Sequence, residues 1–251
     1  QRTIMANLFN GKMAAIFDAM YQTFIDYDEE HEFYNTLIQE KKCNSILEIG
    51  SGTGNLAKRF QENNQNYIGL DYSQSMIEIA QERNKNSIFI HGDMRNFVLE
   101  NTVDAIIITG RSTSYLTNNE DVIDTFESVY KNLNANGVLI FDFIDANRFI
   151  PFIKENQTIL HEATYEGVKY IRESHWETTP MENFMLDWSA QYYKIVDNEK
   201  EILLDDFSTV RVFTLNEIQL FLYLNNFEII KTIDRKTYAY DTYVIMARKI
   251  L

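Results

Sequence analysis

Apolar positions change their period twice along this chain of 251 residues. Between residues 3 and 40 they recur three or four apart, at Ile4, Leu8, Met13, Ile16, Phe17, Met20 and Phe24, then at Phe33 and Leu37. That spacing predicts helix. The acidic run DYDEEHE (26–32) divides the stretch into two helices or caps the second. From Cys43 onward, short apolar runs alternate with amphipathic stretches. SILEIG (45–50), NYIGLD (66–71), SIFIHGD (87–93), VDAIIITG (103–110) and VLIFDFID (138–145) read as strands. Residues 55–63, 73–84 and 118–133 read as the helices between them, the second opened by Ser73 as its cap. Such alternation implies a parallel, doubly wound sheet, and the unbroken apolar run in 103–110 suits a strand covered on both faces. From about Thr158 the pattern becomes polar–apolar alternation, with turn signals at Glu166-Gly167, Thr179-Pro180 and Asp197-Asn198. This predicts about four antiparallel strands. A helix at 214–226 follows, with Thr214 as cap and Glu217 three residues on. FEIIKTID (227–234) and TYVIMARKI (242–250) close the chain as a strand pair. The expected organisation is a helical segment over 1–40, an α/β unit over 41–150 and 214–251, and an inserted antiparallel sheet over 151–213.

Composition removes several function classes. No window of about 18 apolar residues exists, so no membrane span is expected. Acidic residues outnumber basic ones, 37 to 23, for a net charge of −14, and no Lys/Arg stripe offsets this. Such a surface repels phosphate backbones, so nucleic acid is not an expected partner. Cys43 is the single cysteine, which allows neither an intrachain disulfide nor a zinc-ligand cluster, and no metal is expected. Together with a beginning that lacks the basic-then-apolar layout of a secretion signal, this reads as cytoplasmic.

Candidate chemistry is concentrated where the first strand ends. Gly50, Gly52 and Gly54 fall within five residues, and glycines there let a ligand approach bare N–H groups at a helix start. The dinucleotide fingerprint G-x-G-x-x-G fits poorly, because the third glycine comes one residue early and Asn55 stands in its place. A nicotinamide-dependent oxidoreductase is the weaker reading for that reason, and a module that binds without turnover is a third. Glu48, two residues before the first glycine, suits a ligand with a positive amino group. Asp71, ending the second strand, suits a ribose diol. Asp93 and Met94, just after the third strand, suit an adenine amino group and ring face. S-adenosylmethionine carries an amine, a diol and an adenine.

The stretches LEIGSGTGN, GLDYSQSMIEIA and GDMRNF resemble the cofactor motifs of class I S-adenosylmethionine-dependent methyltransferases, across about residues 43–145. That resemblance implies a Rossmann-like methyltransferase fold, a seven-stranded sheet whose last strand is antiparallel. It implies that Gly50, Ser51 and Gly52 line the methionine portion, with Glu48 near its amine. Tyr72 and Met76 would then lie beside the adenosine, and Thr109 and Gly110 would border the methyl group. The segment FDAMYQTFIDYDEEHEFYNTL resembles the N-terminal lid of small-molecule methyltransferases, with Phe17 where the first lid tyrosine is usual, and with Tyr21 and Tyr27 retained. GDMRNF, RSTSYL and the inserted sheet resemble the dimethylamino-sugar N-methyltransferases. The resemblance implies that the insert forms a homodimer face or shapes the substrate mouth. Phe17, Tyr27, Arg111, Ser112, Tyr115 and Trp176 are the candidate acceptor contacts. Arg111 stands where an acidic or neutral residue is common, and a cation there suits a substrate carboxylate or phosphate. Turning outward or pairing with an acidic side chain is the alternative. The expected reaction is methyl transfer to a small molecule, at nitrogen or, as the near alternative, oxygen. Alignment of the reactants accounts for the catalysis without a dedicated base. His31, His91, His161 and His175 are read as structural or surface residues.

Overall fold

The computed structural model describes residues 11–63, 65–179, 184–237 and 240–250. The expectations at Ile4, Leu8 and Pro180 lie outside them. Two helices open the described chain, α1 (Gly11–Tyr21) and α2 (Tyr27–Glu40). Asp26 separates them by capping α2, its carboxylate accepting the N–H groups of Asp28 at 3.0 Å and Glu29 at 3.1 Å. The acidic run is therefore the first turn of a helix, where negative charge meets the positive end of the dipole.

The alternating region forms β1 (Ser45–Ile49), α3 (Ala57–Glu62), β2 (Asn66–Asp71), α4 (Gln74–Arg83), β3 (Ile88–His91), β4 (Val103–Ile108), α5 (Asn119–Asn132) and β5 (Leu133–Asp142). A short 3-10 turn, Ser112–Tyr115, follows β4. Near the end come α7 (Leu215–Leu224), β10 (Phe227–Arg235) and β11 (Thr242–Lys249). One sheet of seven strands results, in the order β10-β11-β5-β4-β1-β2-β3, parallel except where β11 runs against β5 and β10. Side chains alternate across it. Leu47, Ile106 and Ile108 enter a core with α5 and α7, while Ile46, Ala105 and Ile107 enter a second core with α2, α3 and α4. Burial on both faces explains the apolar runs, each large side chain contributing about 1.5–3 kcal/mol. The expected Ser73 cap is present, as is the Thr214–Glu217 capping box.

The second sheet has four antiparallel strands in sequence order: β6 (Thr158–Tyr165), β7 (Val168–Thr178), β8 (Met185–Val196) and β9 (Glu199–Arg211). A helix that the alternation does not predict, α6 (Ala146–Glu155), leads into it. Pro151 lies inside this helix and masks its signal, although Phe149, Phe152 and Ile153 keep helical spacing. Helix α1 lies against the four-stranded sheet, where Ile16 and Met20 meet Ala163, Tyr170, Ala190 and Tyr192. No helix is long and apolar enough to cross a membrane among the described residues.

Candidate active site at the carboxyl edge of the large sheet

The chain runs outward from β1 through β2 to β3, then returns to β4 on the other side of β1. A crevice opens where strand order reverses in this way. Here it is a cavity of about 1080 Å³, bounded below by the ends of β1, β2 and β4, and above by α1, α2 and the four-stranded sheet.

At its floor, Glu48 accepts hydrogen bonds from Thr109 Oγ1 at 3.0 Å and from the Tyr67 hydroxyl at 2.5 Å. The first contact spans the switch point itself, joining the ends of β1 and β4. Burial pushes the Glu48 carboxyl up to about 7, against the pull of those two bonds. Asp71 accepts the Gly52 N–H at 2.8 Å on one oxygen and the Ser73 N–H at 2.8 Å on the other. It too is raised by burial, with the backbone donors opposing. Gly50 and Gly52 have φ of +76° and +52°. A Cβ at Gly52 would meet nothing within 4 Å, whereas one at Gly50 would collide with the Ser112 side chain. Gly52 therefore keeps its backbone open to the cleft, and Gly50 makes room for the turn after β4.

Tyr72, Met76, Asp93, Met94 and Gly110 line the same cavity, as do Ser51 and Thr109. Asp93 is already engaged by Arg95, whose Nε lies 2.9 and 3.0 Å from its oxygens, and Arg95 also reaches Asp121 at 3.1 Å. The bridging role of Arg95 is not predicted from sequence, although the spacing within GDMRNF holds the signal.

The α1–α2 segment covers the glycine loop. Phe17, Tyr21 and Tyr27 face the cavity, Phe17 stacking on Tyr21 with ring centroids 4.0 Å apart. A further residue, Asp18, fastens this cover. Its buried carboxylate accepts from Thr53 Oγ1, from Asn55 Nδ2 at 3.0 Å and from Arg83 NH2 at 2.7 Å. Burial works to raise its pKa, but the bonds and charge of Arg83, with Thr53 and Asn55, hold it below the usual range. Asn55 is thus a strut between loop and lid, which accounts for its place in the glycine motif.

On the acceptor side, Ser112 and Tyr115 come from the turn after β4, and Trp188, Ser189, Phe207 and Ser208 from the second sheet. Two expected contacts are corrected. Arg111 does not line the cavity. It sits at φ +60°, its N–H is bound to Asp142 Oδ1 at 2.8 Å, and its guanidinium turns to Thr237 and packs 4.5 Å over the Tyr240 ring. Trp176 does not line it either, being packed edge-on against Phe149 at 5.0 Å, and its cross-strand partner Trp188 reaches the cavity instead. Of the histidines, His175 borders the cavity beside Glu177. His91 bonds the Tyr72 carbonyl, His31 meets Asn63, and His161 meets Arg172. Arg111→Ala is expected to lower the melting temperature, because the buried Asp142 loses a compensating charge, while leaving the acceptor KM unchanged. A melting scan and steady-state kinetics check both halves.

The residues present fit the nucleoside that the motifs imply. The Gly52 cradle is open, Asp71 lines the cavity with a carboxylate held in place by backbone N–H groups, and Glu48 is a buried carboxyl suited to a cationic amine.

Comparison with known proteins agrees with this geometry. A family profile described as a methyltransferase domain matches residues 46–137. A Bacillus subtilis (strain 168) protein named as a methyltransferase, YqeM, is 32% identical over 202 residues, covering 68% of this chain and 81% of that protein. The Streptomyces fradiae dTDP-3-amino-3,6-dideoxy-alpha-D-glucopyranose N,N-dimethyltransferase is 26% identical over 137 residues, 53% of this chain and 54% of its own. Among solved structures, an S-adenosylmethionine-dependent methyltransferase from Clostridium acetobutylicum ATCC 824 superposes with a TM-score of 0.75 at 18% identity, covering 95% of this chain and 98% of that one.

Proposed function

This chain belongs to the S-adenosylmethionine-dependent methyltransferases, and from that premise we propose that it methylates the nitrogen of a small-molecule amine. The cofactor supplies a methyl group already activated on a sulfonium. The protein's share is to align the acceptor and exclude water. Asp71 would hold the ribose hydroxyls and Glu48 the amino group, with Tyr72, Met76 and Met94 around the base. Ser112 and Tyr115 would border the acceptor.

One observation carries the nitrogen assignment. The cavity lining includes the rings of Tyr21, Tyr115 and Trp188 together with the carboxylates of Glu177 and Asp187. Rings and negative charge together favour an amine over a neutral hydroxyl. The amine named for the Streptomyces fradiae relative is in keeping with this. The test is incubation with isotopically labelled cofactor and a small-molecule extract, read by mass spectrometry. A gain of one methylene on an amine nitrogen supports the reading. Label solely on hydroxyl oxygen overturns it at the acceptor atom, and cofactor binding without any transfer overturns it altogether.

Glu48 makes the cofactor step pH-dependent. In the free protein its carboxyl is raised to about 7, so it holds a proton below that value and none above. A bound ammonium favours the ionised form, so binding below about pH 7 must expel the proton. Affinity for S-adenosylhomocysteine is therefore expected to fall as pH drops below about 7, by up to about tenfold per unit. Glu48→Gln should bind more weakly with a flat profile in that range. Calorimetry in buffers of different ionisation heat reads the proton release directly, and a wild-type profile that is also flat would overturn the assignment.

A further inference from the structure

Tyr21 ends α1 and faces the cavity. It lies one turn beyond Asp18, on the same side of the helix, and Asp18 is fastened to Thr53 and Asn55 of the glycine loop. Tyr21 therefore stands at the glycine-loop end of the cleft. Arg172 on β7 reaches it from the four-stranded sheet. Its guanidinium carbon lies 5.3 Å over the Tyr21 ring, and NH2 donates to His161 Nδ1 at 3.0 Å. Arg172 is 5% exposed, and no carboxylate comes within ion-pair distance of it among the described residues. Asp206 on β9, itself fully buried, feels the charge at longer range. A buried cation without a paired carboxylate costs stability, and an aliphatic side chain would fill the same space without that cost. The field of Arg172 falls on Tyr21 and on Tyr192, its cross-strand neighbour.

His161 on β6 keeps the guanidinium in that position. A guanidinium has donors only, so Nδ1 must accept, and the ring is neutral with its hydrogen on Nε2. Burial, and after it the Arg172 charge, hold the His161 ring down to about 4. The same ring packs 4.5 Å from Phe24, which lies 5.0 Å from Tyr21. Tyr21, Phe24, His161 and Arg172 thus close a circuit that joins the end of α1 to β6 and β7. From Tyr21 a guanidinium can take only ring electrons or an oxygen lone pair, so the phenolic hydrogen is left for a ligand.

A donor is what this end of the cleft is short of. The cavity wall carries one arginine and no lysine among the described residues, and that arginine, Arg95, is bonded to Asp93, just after β3, and to Asp121. S-adenosylmethionine carries a carboxylate beside its amine, and Glu48 suits the amine alone. Resting on the cofactor placement given above, we propose that Arg172 is a positioning residue: held by His161, it fixes Tyr21 so that the tyrosine hydroxyl donates to the carboxylate of the cofactor.

Two nucleosides test this by calorimetry: S-adenosylhomocysteine, which carries the carboxylate, and 5'-methylthioadenosine, which lacks the amino-acid portion. Tyr21→Phe removes only the hydroxyl. Arg172→Lys keeps the buried charge that Asp206 feels but loses the planar fork. Each variant is expected to raise the Kd for S-adenosylhomocysteine by about 10-fold and to leave that for 5'-methylthioadenosine unchanged. The double variant should bind S-adenosylhomocysteine no more weakly than Tyr21→Phe alone, because Arg172 acts through the hydroxyl. Wild-type affinity in either variant, equal losses for both nucleosides, or losses that add in the double variant would overturn the proposal. Wild-type protein that binds neither nucleoside would end the cofactor placement along with it. A further measurement needs no ligand. Nitrogen-15 shifts recorded at about pH 6 should show His161 neutral, with its hydrogen on Nε2. A doubly protonated ring there would remove the acceptor that holds Arg172 and sink the circuit.

Discussion

Replacing Asp71 with alanine is expected to weaken S-adenosylhomocysteine binding by about 1.5–3 kcal/mol, roughly a 10- to 150-fold rise in Kd. Two effects add here. The ribose hydroxyls lose charge-assisted acceptors, and the Gly52 N–H loses the oxygen that now sits 2.8 Å away, so the glycine loop is no longer tied to the end of β2. Asp71→Asn separates the two, because an amide oxygen can still accept from Gly52 while the charge is gone. Its affinity should fall between those of wild type and the alanine variant. Calorimetry checks this, and an alanine variant with unchanged affinity would remove Asp71 from the site.

Asp18→Ala is expected to free the N-terminal cover. Asp18 is the common acceptor for Thr53, Asn55 and Arg83, and its loss leaves three donors facing a gap. The Arg83 side chain is 36% exposed, so solvent takes up part of the loss. A destabilisation of about 2 kcal/mol remains, or a fall in melting temperature of about 4–8 °C for a chain of this size. Because the Asp18 carboxyl is held low in the folded protein, its stabilising part is present above the unfolded value of 3.8 and is lost as pH falls through the lowered folded one. Proteolysis between α1 and α2 should quicken in the variant. Equal melting and equal cleavage would show that the cover is held by packing alone.

How much of this was legible in the residues depends on the range of the interactions concerned. The large sheet is announced by local pattern, because strands buried on both faces must be apolar and the helices between them cannot be. Glu48, Asp71 and the glycines fall at strand ends, and topology alone brings strand ends together. Arg111 could not be oriented from its neighbours. Its partners Thr237 and Tyr240 lie about 130 positions away, and its left-handed backbone conformation is not one that arginine favours. Asp18 reads locally as one polar residue on an apolar helix, since Thr53, Asn55 and Arg83 are distant in the chain. Asp206 stands within the acidic pair of LLDDFS, where alternation marks a half-exposed strand. Its burial comes from packing between β9 and the turn after β4, which no strand period reports.

The knot of Asp18, Thr53, Asn55 and Arg83 bears on how such a chain can drift over generations. Each of the four is satisfied by the others, so a change at one leaves a stranded donor or charge in the remaining three. Neutral substitution at any single one of these positions is therefore closed, and tolerated change has to arrive in concert, from segments that sit 30 or more residues apart in the gene product. A cover traded in from a different lineage would have to bring its own matching loop.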